Sequence, residues 1–409
     1  MSDKKWSYIL FIFYLFYFLD QASFGLDVNS NLQGIFYQLN TNSLLNPGNT
    51  LQIPNKVILL KSNVSHTGSV FKNFSYSIDL DNQLSLDTLG CLPYRIVESK
   101  TYINRFLVEY FLNEQLEIKF GKEDISFGNS LNDRILSLYK QRDAFYRNDR
   151  YWYIAAKGYL NTLFYSLQYI PPLALDVDSE LKNINKFPIY QIRTELFVAG
   201  IDAAVLTQLN EDSSFVALAL SYSMESLPHL VMYSDMKLIN IRSRYGIQNN
   251  NGSYDLNETK RVKHLLSPLL VGINWMVLNN VDLKWEYLYN KYAFSKNENE
   301  LLFNGLETDP PFFYEFAAID YNNIFSQHYL SMIVHIHQFI VDSLTALVYV
   351  KVNMTDYSAL FSGQISYKLG GNMVFELGVV KALYQETKSE YGSFLNEESI
   401  FGGIKIFFL

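Results

Sequence analysis

The 409-residue chain carries a formal net charge of -8 and one cysteine, Cys91, which excludes an intrachain disulfide and any cysteine-rich metal centre. No basic tract is concentrated enough to grip nucleic acid, so that class of partner is set aside. Tyrosine (31) and phenylalanine (30) are abundant and proline (10) is scarce, a bias that suits pleated sheets and membrane-interface belts.

Lys4 and Lys5 precede an apolar run from Tyr8 to Leu19 and the small-residue stretch Ala22-Ser23-Phe24-Gly25. This is the layout of a secretory signal peptide over residues 1–25, since a spanning helix needs ~20 apolar residues. Residues 26–409 then form one domain with long external loops. Two classes follow: a soluble secreted β-protein, or an outer-membrane barrel whose sheet must close because every backbone polar group in lipid needs a partner.

Asn31 to Leu39 alternates weakly and is predicted as a first strand, with a loop over Asn40 to Asn55. Val57 to Leu60 and Val70 to Leu80 follow as strands, the second placing Phe74, Tyr76, Ile78 and Leu80 on one face. From Thr101 the two-residue period sharpens, with Tyr102, Phe106, Val108 and Tyr110 opposed to Arg105 and Glu109. After a turn at Asn113-Glu114, Leu116, Ile118 and Phe120 oppose Glu117 and Lys119. Lys122 to Arg150 reads as an external loop with a short helix from Asn132 to Gln141. Tyr151 to Ala156 and Leu160 to Tyr169 form the next pair, and Tyr151, Trp152, Tyr153, Tyr159, Phe164, Tyr165 and Tyr169 are assigned to an interfacial belt.

Tyr190 to Gly200 sets Ile192, Leu196 and Val198 against Arg193 and Glu195. Ala204 to Leu209 and Phe215 to Met224 flank a turn at Asn210-Glu211-Asp212, and Pro228 to Tyr245 supplies another strand. Gly246 to Thr259 is predicted as a loop. Leu270 to Leu278 pairs through Asn279-Asn280 with Val281 to Tyr292, where Val281, Leu283, Trp285, Tyr287 and Tyr289 oppose Asp282, Lys284 and Glu286. Ser295 to Pro311 is another predicted loop. Gln327 to Tyr384 then reads as four consecutive strands with Lys351, Asp356, Lys368 and Glu376 on the polar side, and Ile400 to Leu409 pairs with the first strand. The fold class is all-β: a single closed antiparallel transmembrane β-barrel of roughly 14 to 18 strands, with about 16 preferred. Tight turns at Asn113, Asn210, Asn279, Asn353 and Gly370 are expected together at one end, with the long loops at the other.

The terminal Ile404-Lys405-Ile406-Phe407-Phe408-Leu409 resembles the last strand of Gram-negative outer-membrane β-barrels, which ends in an aromatic residue and is read by the barrel-assembly machinery. Here Leu409 comes last, and the lipid-like face ends at Phe408. The run Leu116 to Gly128 resembles a strand and turn of porin-like barrels, alginate-export-like families among them, through Gly121, Lys122, Ile125, Phe127 and Gly128. That resemblance implies passive or facilitated passage of a solute.

The predicted lumen-lining set is Arg105, Glu109, Glu117, Lys119, Arg193, Glu195, Asp282, Lys284, Glu286, Lys351, Asp356, Lys368 and Glu376. Near-equal numbers of each sign suit a hydrated wall with cross-strand ion pairs, and equally a filled lumen in which the charges hold strands and loops together. His335 and His337 share a face, but the carboxylate nearest in sequence, Asp342, has the other parity; neither a metal site nor a cofactor is predicted. A hydrolase built from Ser331 with His335 or His337, or from Ser226, His229 and Asp235, lacks a Gly-x-Ser-x-Gly elbow. The first expectation is a channel or transporter for a small polar solute. The second is an occluded surface barrel whose loops at 122–150, 246–260 and 295–311 contact a partner, and the third is an outer-membrane hydrolase. Outer-membrane lipid, the assembly machinery and the solute are the expected partners, and the pattern suits a monomer and an oligomer alike.

Overall fold

The computed structural model describes residues 27–39, 56–71, 73–88, 95–123, 151–171, 188–209, 214–223, 227, 229–240, 243–250, 253–260, 265–291, 293–308, 326–384, 389–391 and 398–408. The signal peptide, the 132–141 helix and Ile125, Phe127, Gly128 and Leu409 fall outside these residues.

The strands in chain order are β1 (Asp27–Leu39), β2 (Lys56–Phe71), β3 (Phe74–Thr88), β4 (Arg95–Asn113), β5 (Leu116–Glu123), β6 (Tyr151–Leu160) and β7 (Leu163–Ile170). They continue with β8 (Ile189–Val198), β9 (Ile201–Leu209), β10 (Ser214–Ser223), β11 (Leu230–Asn240), β12 (Ser243–Asn250), β13 (Ser253–Lys260), β14 (Leu265–Leu278) and β15 (Val281–Tyr289). The helix α1 (Lys296–Thr308) precedes β16 (His328–Ile336), β17 (Leu344–Asn353), β18 (Ala359–Leu369), β19 (Met373–Leu383) and β20 (Glu398–Phe408).

All of these except β12 and β13 belong to one 18-stranded antiparallel sheet. It closes where β1 meets β20, with Gly34 opposite Ile404 and Gln33 opposite Lys405. Closure removes both edges, so every strand has two neighbours. The count is 18 and not 16, and the weakly alternating first strand is a full member: β1 pairs with β2 continuously from Asp27↔Thr67 to Gln38↔Lys56.

The alternation read from the sequence separates two faces. On β15, Lys284, Glu286 and Leu288 are buried on the inner face while Trp285 and Tyr287 are exposed on the outer one. The outer face carries large apolar groups all round, Leu167, Ile192, Val271 and Leu377 among them. Outer aromatics collect near both ends: Trp152, Tyr169, Tyr190 and Tyr287 at one, Tyr110, Tyr222, Trp275 and Tyr367 at the other. Tyr153, Tyr159 and Phe164 do not join this belt. Strand parity turns them inward, where Arg193 lies over the Phe164 ring at 5.9 Å.

Local irregularities account for other departures. In β4, Asp79 pairs with Arg105 and Leu80 with Ile103, so a bulge at Asn104 slips the parity and puts Ile103 on the outer face with Phe106. The strand expected from Val70 to Leu80 is broken by the Asn73 turn, and β3 runs on to Thr88. The 246–259 stretch is the β12–β13 hairpin, which packs against α1, and α1 occupies the predicted loop 295–311. Ser295 and Glu298 cap α1 reciprocally, and Leu302, Phe303 and Leu306 bury its apolar stripe.

Connections sort by end. Those following β2, β4, β6, β8, β10, β14, β16 and β18 run from two residues (Asn161–Thr162) to seven (His337–Ser343), and both Asp27 and Phe408 lie at this short-turn end. The opposite end carries connections from four residues (210–213) to thirty-eight (290–327). The β17–β18 turn at Asn353 belongs to this second end, as does the four-residue connection after β9, whose Asn210 lies outside the described residues; shortness alone does not assign a connection to an end.

Candidate functional site: the inner face of the barrel

Toward the short-turn half, Lys119 on β5 is held between two carboxylates, pairing with Glu109 and lying 3.4 Å from Glu117. Ser75 on β3 donates to the second oxygen of Glu109 at 3.0 Å. Arg105 shares the inner face of β4 with Glu109. On β8, Arg193 pairs with Glu195, and Gln191 donates to Gln208 across the β8–β9 ladder at 3.2 Å. Lys368 and Glu376 face inward nearer the short-turn end, with Glu376 opposite the bare backbone of Gly403.

A more deeply buried pair lies on β15. Lys284 Nζ is 3.2 Å from Glu286 Oε1, with side-chain exposures of 6% and 1%. The Tyr233 hydroxyl donates to the same oxygen at 2.7 Å, and the Lys284 ammonium lies 4.9 Å from the Tyr233 ring centre. Asp235, fully buried on β11, belongs to the same inner face. A charge pair this dry is held in place by its hydrogen bonds, because either ion alone would carry a large desolvation cost.

At the long-loop end, a short inserted segment docks against the wall. Tyr329 on β16 and Asn353 on β17 both donate to Glu390 Oε2, at 2.7 and 2.9 Å. Asn353 and Asn299 of α1 converge on the Ser326 hydroxyl at 2.7 and 2.8 Å. Lys351 caps the Tyr329 ring at 4.5 Å. Burial pushes the Glu390 carboxyl up to about 7, against the opposing pull of the Tyr329 hydroxyl and Lys351. Tyr391, next to it, joins a buried apolar cluster with Tyr233, Leu270, Leu288 and Tyr329.

Asp356 is not part of the wall. It lies in the β17–β18 connection, accepts from the Ser358 amide and hydroxyl, and takes the Glu390 amide at 2.6 Å, so it anchors the docked segment from the rim. Tyr357 lies in the same turn, with φ +59°, so the strand starts at Ala359 and not at 357.

The remaining predicted residue, Asp282, faces His335 across the β15–β16 ladder, and its Oδ2 is 2.7 Å from His337 Nε2. Ser331 and His335 are four residues apart on one strand, about 13 Å, which gives no nucleophile–base contact. Ser226 is outside the described residues. Sequence reasoning missed Asn63, which bonds Asp79 and Asp81 between β2 and β3, and it missed Tyr233, Asn353 and Glu390. Parity would have placed Tyr233 beside Asp235; nothing in the sequence marks Glu390.

The geometry defines an 18-stranded closed antiparallel barrel with an apolar outside and a charged, hydrogen-bonded inside. No known protein-family profile matches the chain, and neither does any curated protein sequence. Among solved structures it is similar to Pseudomonas aeruginosa OccK9 (OpdG), at 10% identity and TM-score 0.56 over 94% of this chain and 98% of that one. It is also similar to Pseudomonas aeruginosa OpdK with vanillate, at 8% identity and TM-score 0.54 over 94% and 98%. A third is Acinetobacter baumannii OccAB3, at 9% identity and TM-score 0.53 over 94% and 99%. At these identities the likeness is one of fold.

Proposed function

We propose that the protein is exported by its N-terminal signal peptide, inserted in an outer membrane by the barrel-assembly machinery, and serves there as a channel for a small polar solute. The observation that carries this reading is the contrast between the two faces of one closed sheet. Leu167, Ile192 and Leu377 are more than half exposed on the outside, and burying such a belt in lipid removes an apolar surface no soluble monomer leaves open. Inside, Glu109–Lys119–Glu117 and Arg193–Glu195 offer fixed charges of both signs, which suits hydrogen-bonding solutes better than a strongly charge-selective current. The lumen-lining role extends to Arg105, Lys284, Glu286, Lys351, Lys368 and Glu376. The vanillate in the OpdK structure is an organic carboxylate, and a mixed-charge wall of this kind would accept a solute of that class.

A second reading, a barrel with an occluded lumen, is favoured by the inward cluster around Tyr329 and Tyr391. Purified protein in planar bilayers separates the two. Discrete conductance steps support the channel; a protein that inserts and stays silent supports the occluded barrel. A mature chain that is monodisperse in buffer without detergent overturns both.

A further inference from the structure

Beyond the pathway itself, the short-turn mouth brings three metal-ligating side chains together. Asp282 is the second residue of β15, and His335 stands directly opposite it on β16. His337 follows just past the strand end, where its amide donates to the Asn280 carbonyl at 2.7 Å and fixes the backbone beside the β14–β15 turn. Its Nε2 meets Asp282 Oδ2 at 2.7 Å, and the His335 and His337 ring centres are 3.9 Å apart. One ligand atom from each of the three lies within 4.8 Å of the others.

From this we infer that Asp282, His335 and His337 bind a divalent transition-metal ion at the short-turn mouth of the barrel. Zinc bonds of about 2.0–2.1 Å set neighbouring ligand atoms roughly 3.4 Å apart in a tetrahedron. The Asp282–His337 pair is closer than that and every separation is within 4.8 Å, so side-chain torsions close the site without moving either strand. The Asp282–His337 hydrogen bond accounts for His337 alone. It gives no reason for a second imidazole against the first, whereas a shared cation does. Two imidazole nitrogens and one carboxylate select zinc, copper or nickel over calcium or magnesium, which prefer all-oxygen shells. His337 and Asp282 are 41% and 33% exposed, so the fourth position opens toward the lumen and can take water or an anionic group of a solute.

The test is cobalt binding by the full mature barrel in detergent, stripped with EDTA and held in mildly alkaline buffer. One equivalent of Co2+ should give tetrahedral d–d absorption that Zn2+ bleaches and excess Mg2+ leaves alone. The H335A/H337A variant should lose more than about a hundredfold in affinity, since outer-shell changes alone cost about 10–100-fold. D282N should weaken binding while keeping the cold and boiled gel mobilities of the folded barrel. Absent or non-stoichiometric absorption, displacement by Mg2+, or binding unchanged in H335A/H337A overturns the site. The readout does not depend on conduction. A silent protein that binds Co2+ removes the channel and leaves the metal site, and a conducting protein that does not bind Co2+ does the reverse.

Discussion

Tyr233 on β11 donates its hydroxyl to Glu286 on β15 across a whole intervening strand. The residue between them in register is Gly272 on β14. With no side chain there, the Tyr233 ring lies flat over the glycine, and a Cβ at that position would fall 2.3 Å from its Cζ. A residue choice on one strand therefore decides whether this buried ion pair is completed from two strands away.

Substitution at this point separates the ring from its hydrogen bond. G272A should displace the Tyr233 ring and lose the bond as well, combining overpacking of about 1–3 kcal/mol with loss of a charged hydrogen bond worth about 1.5–3 kcal/mol. Y233F should cost only the second amount. Thermal midpoints from the shift between folded and unfolded gel mobility should rank wild type above Y233F and Y233F above G272A. Equal midpoints would mean that the ring does not need the bare backbone.

The Lys284–Glu286 pair should behave non-additively. K284M leaves a carboxylate that is 1% exposed without its ammonium partner, a loss of about 3–5 kcal/mol for a buried pair broken on one side. The double variant K284M/E286Q removes both charges and should regain most of that loss. A double variant no more stable than K284M would show that the two ions do not depend on each other.

Much of this was legible in the sequence because lipid-like and polar surroundings impose opposite demands on alternate residues. Trp285 against Lys284 and Glu286 is unambiguous for that reason, and so is Ile118 against Glu117 and Lys119. Where parity slips without a chemical mark, as at Asn104, the pattern misleads. The α1 helix did carry a signal, the Ser295-x-x-Glu298 capping box ahead of Leu302, Phe303 and Leu306, hidden in a stretch with no strand period. The Asp282–His335 pairing was out of reach, because it depends on register between strands separated by residues 290–327. Alternation places a residue on a face; only register chooses its neighbour.

If the inner face carries current, its charge balance should be adjustable at Lys119. K119Q removes the ammonium that pairs with Glu109 and lies 3.4 Å from Glu117, so reversal potentials in a salt gradient should move toward cation preference. E109Q/E117Q should move them the other way. The shift should shrink as salt rises, because the Debye length falls from about 10 Å at 0.1 M to about 3 Å at 1 M. Unchanged reversal potentials in both variants would take this cluster off the solute path.

The docked segment at the long-loop end should respond to pH through Glu390. In the docked state its carboxyl is raised from the ordinary 4.5 to about 7, so docking takes up a proton between those values. The segment is therefore held most firmly below about pH 4.5 and weakens as pH rises through 7. The whole loss is roughly 3 kcal/mol, since each tenfold change in proton affinity is worth about 1.4 kcal/mol. Hydrogen exchange at the Glu390 and Tyr391 amides reads this directly, because those amides donate to Asp356 and Ser358 when docked. After correction for intrinsic exchange, their protection should fall by up to about a hundredfold between roughly pH 5 and pH 8. E390Q keeps the hydrogen-bond acceptor without the charge and should hold protection flat over the same range. Protection in the wild type that follows the flat E390Q profile would show that the carboxyl does not govern docking.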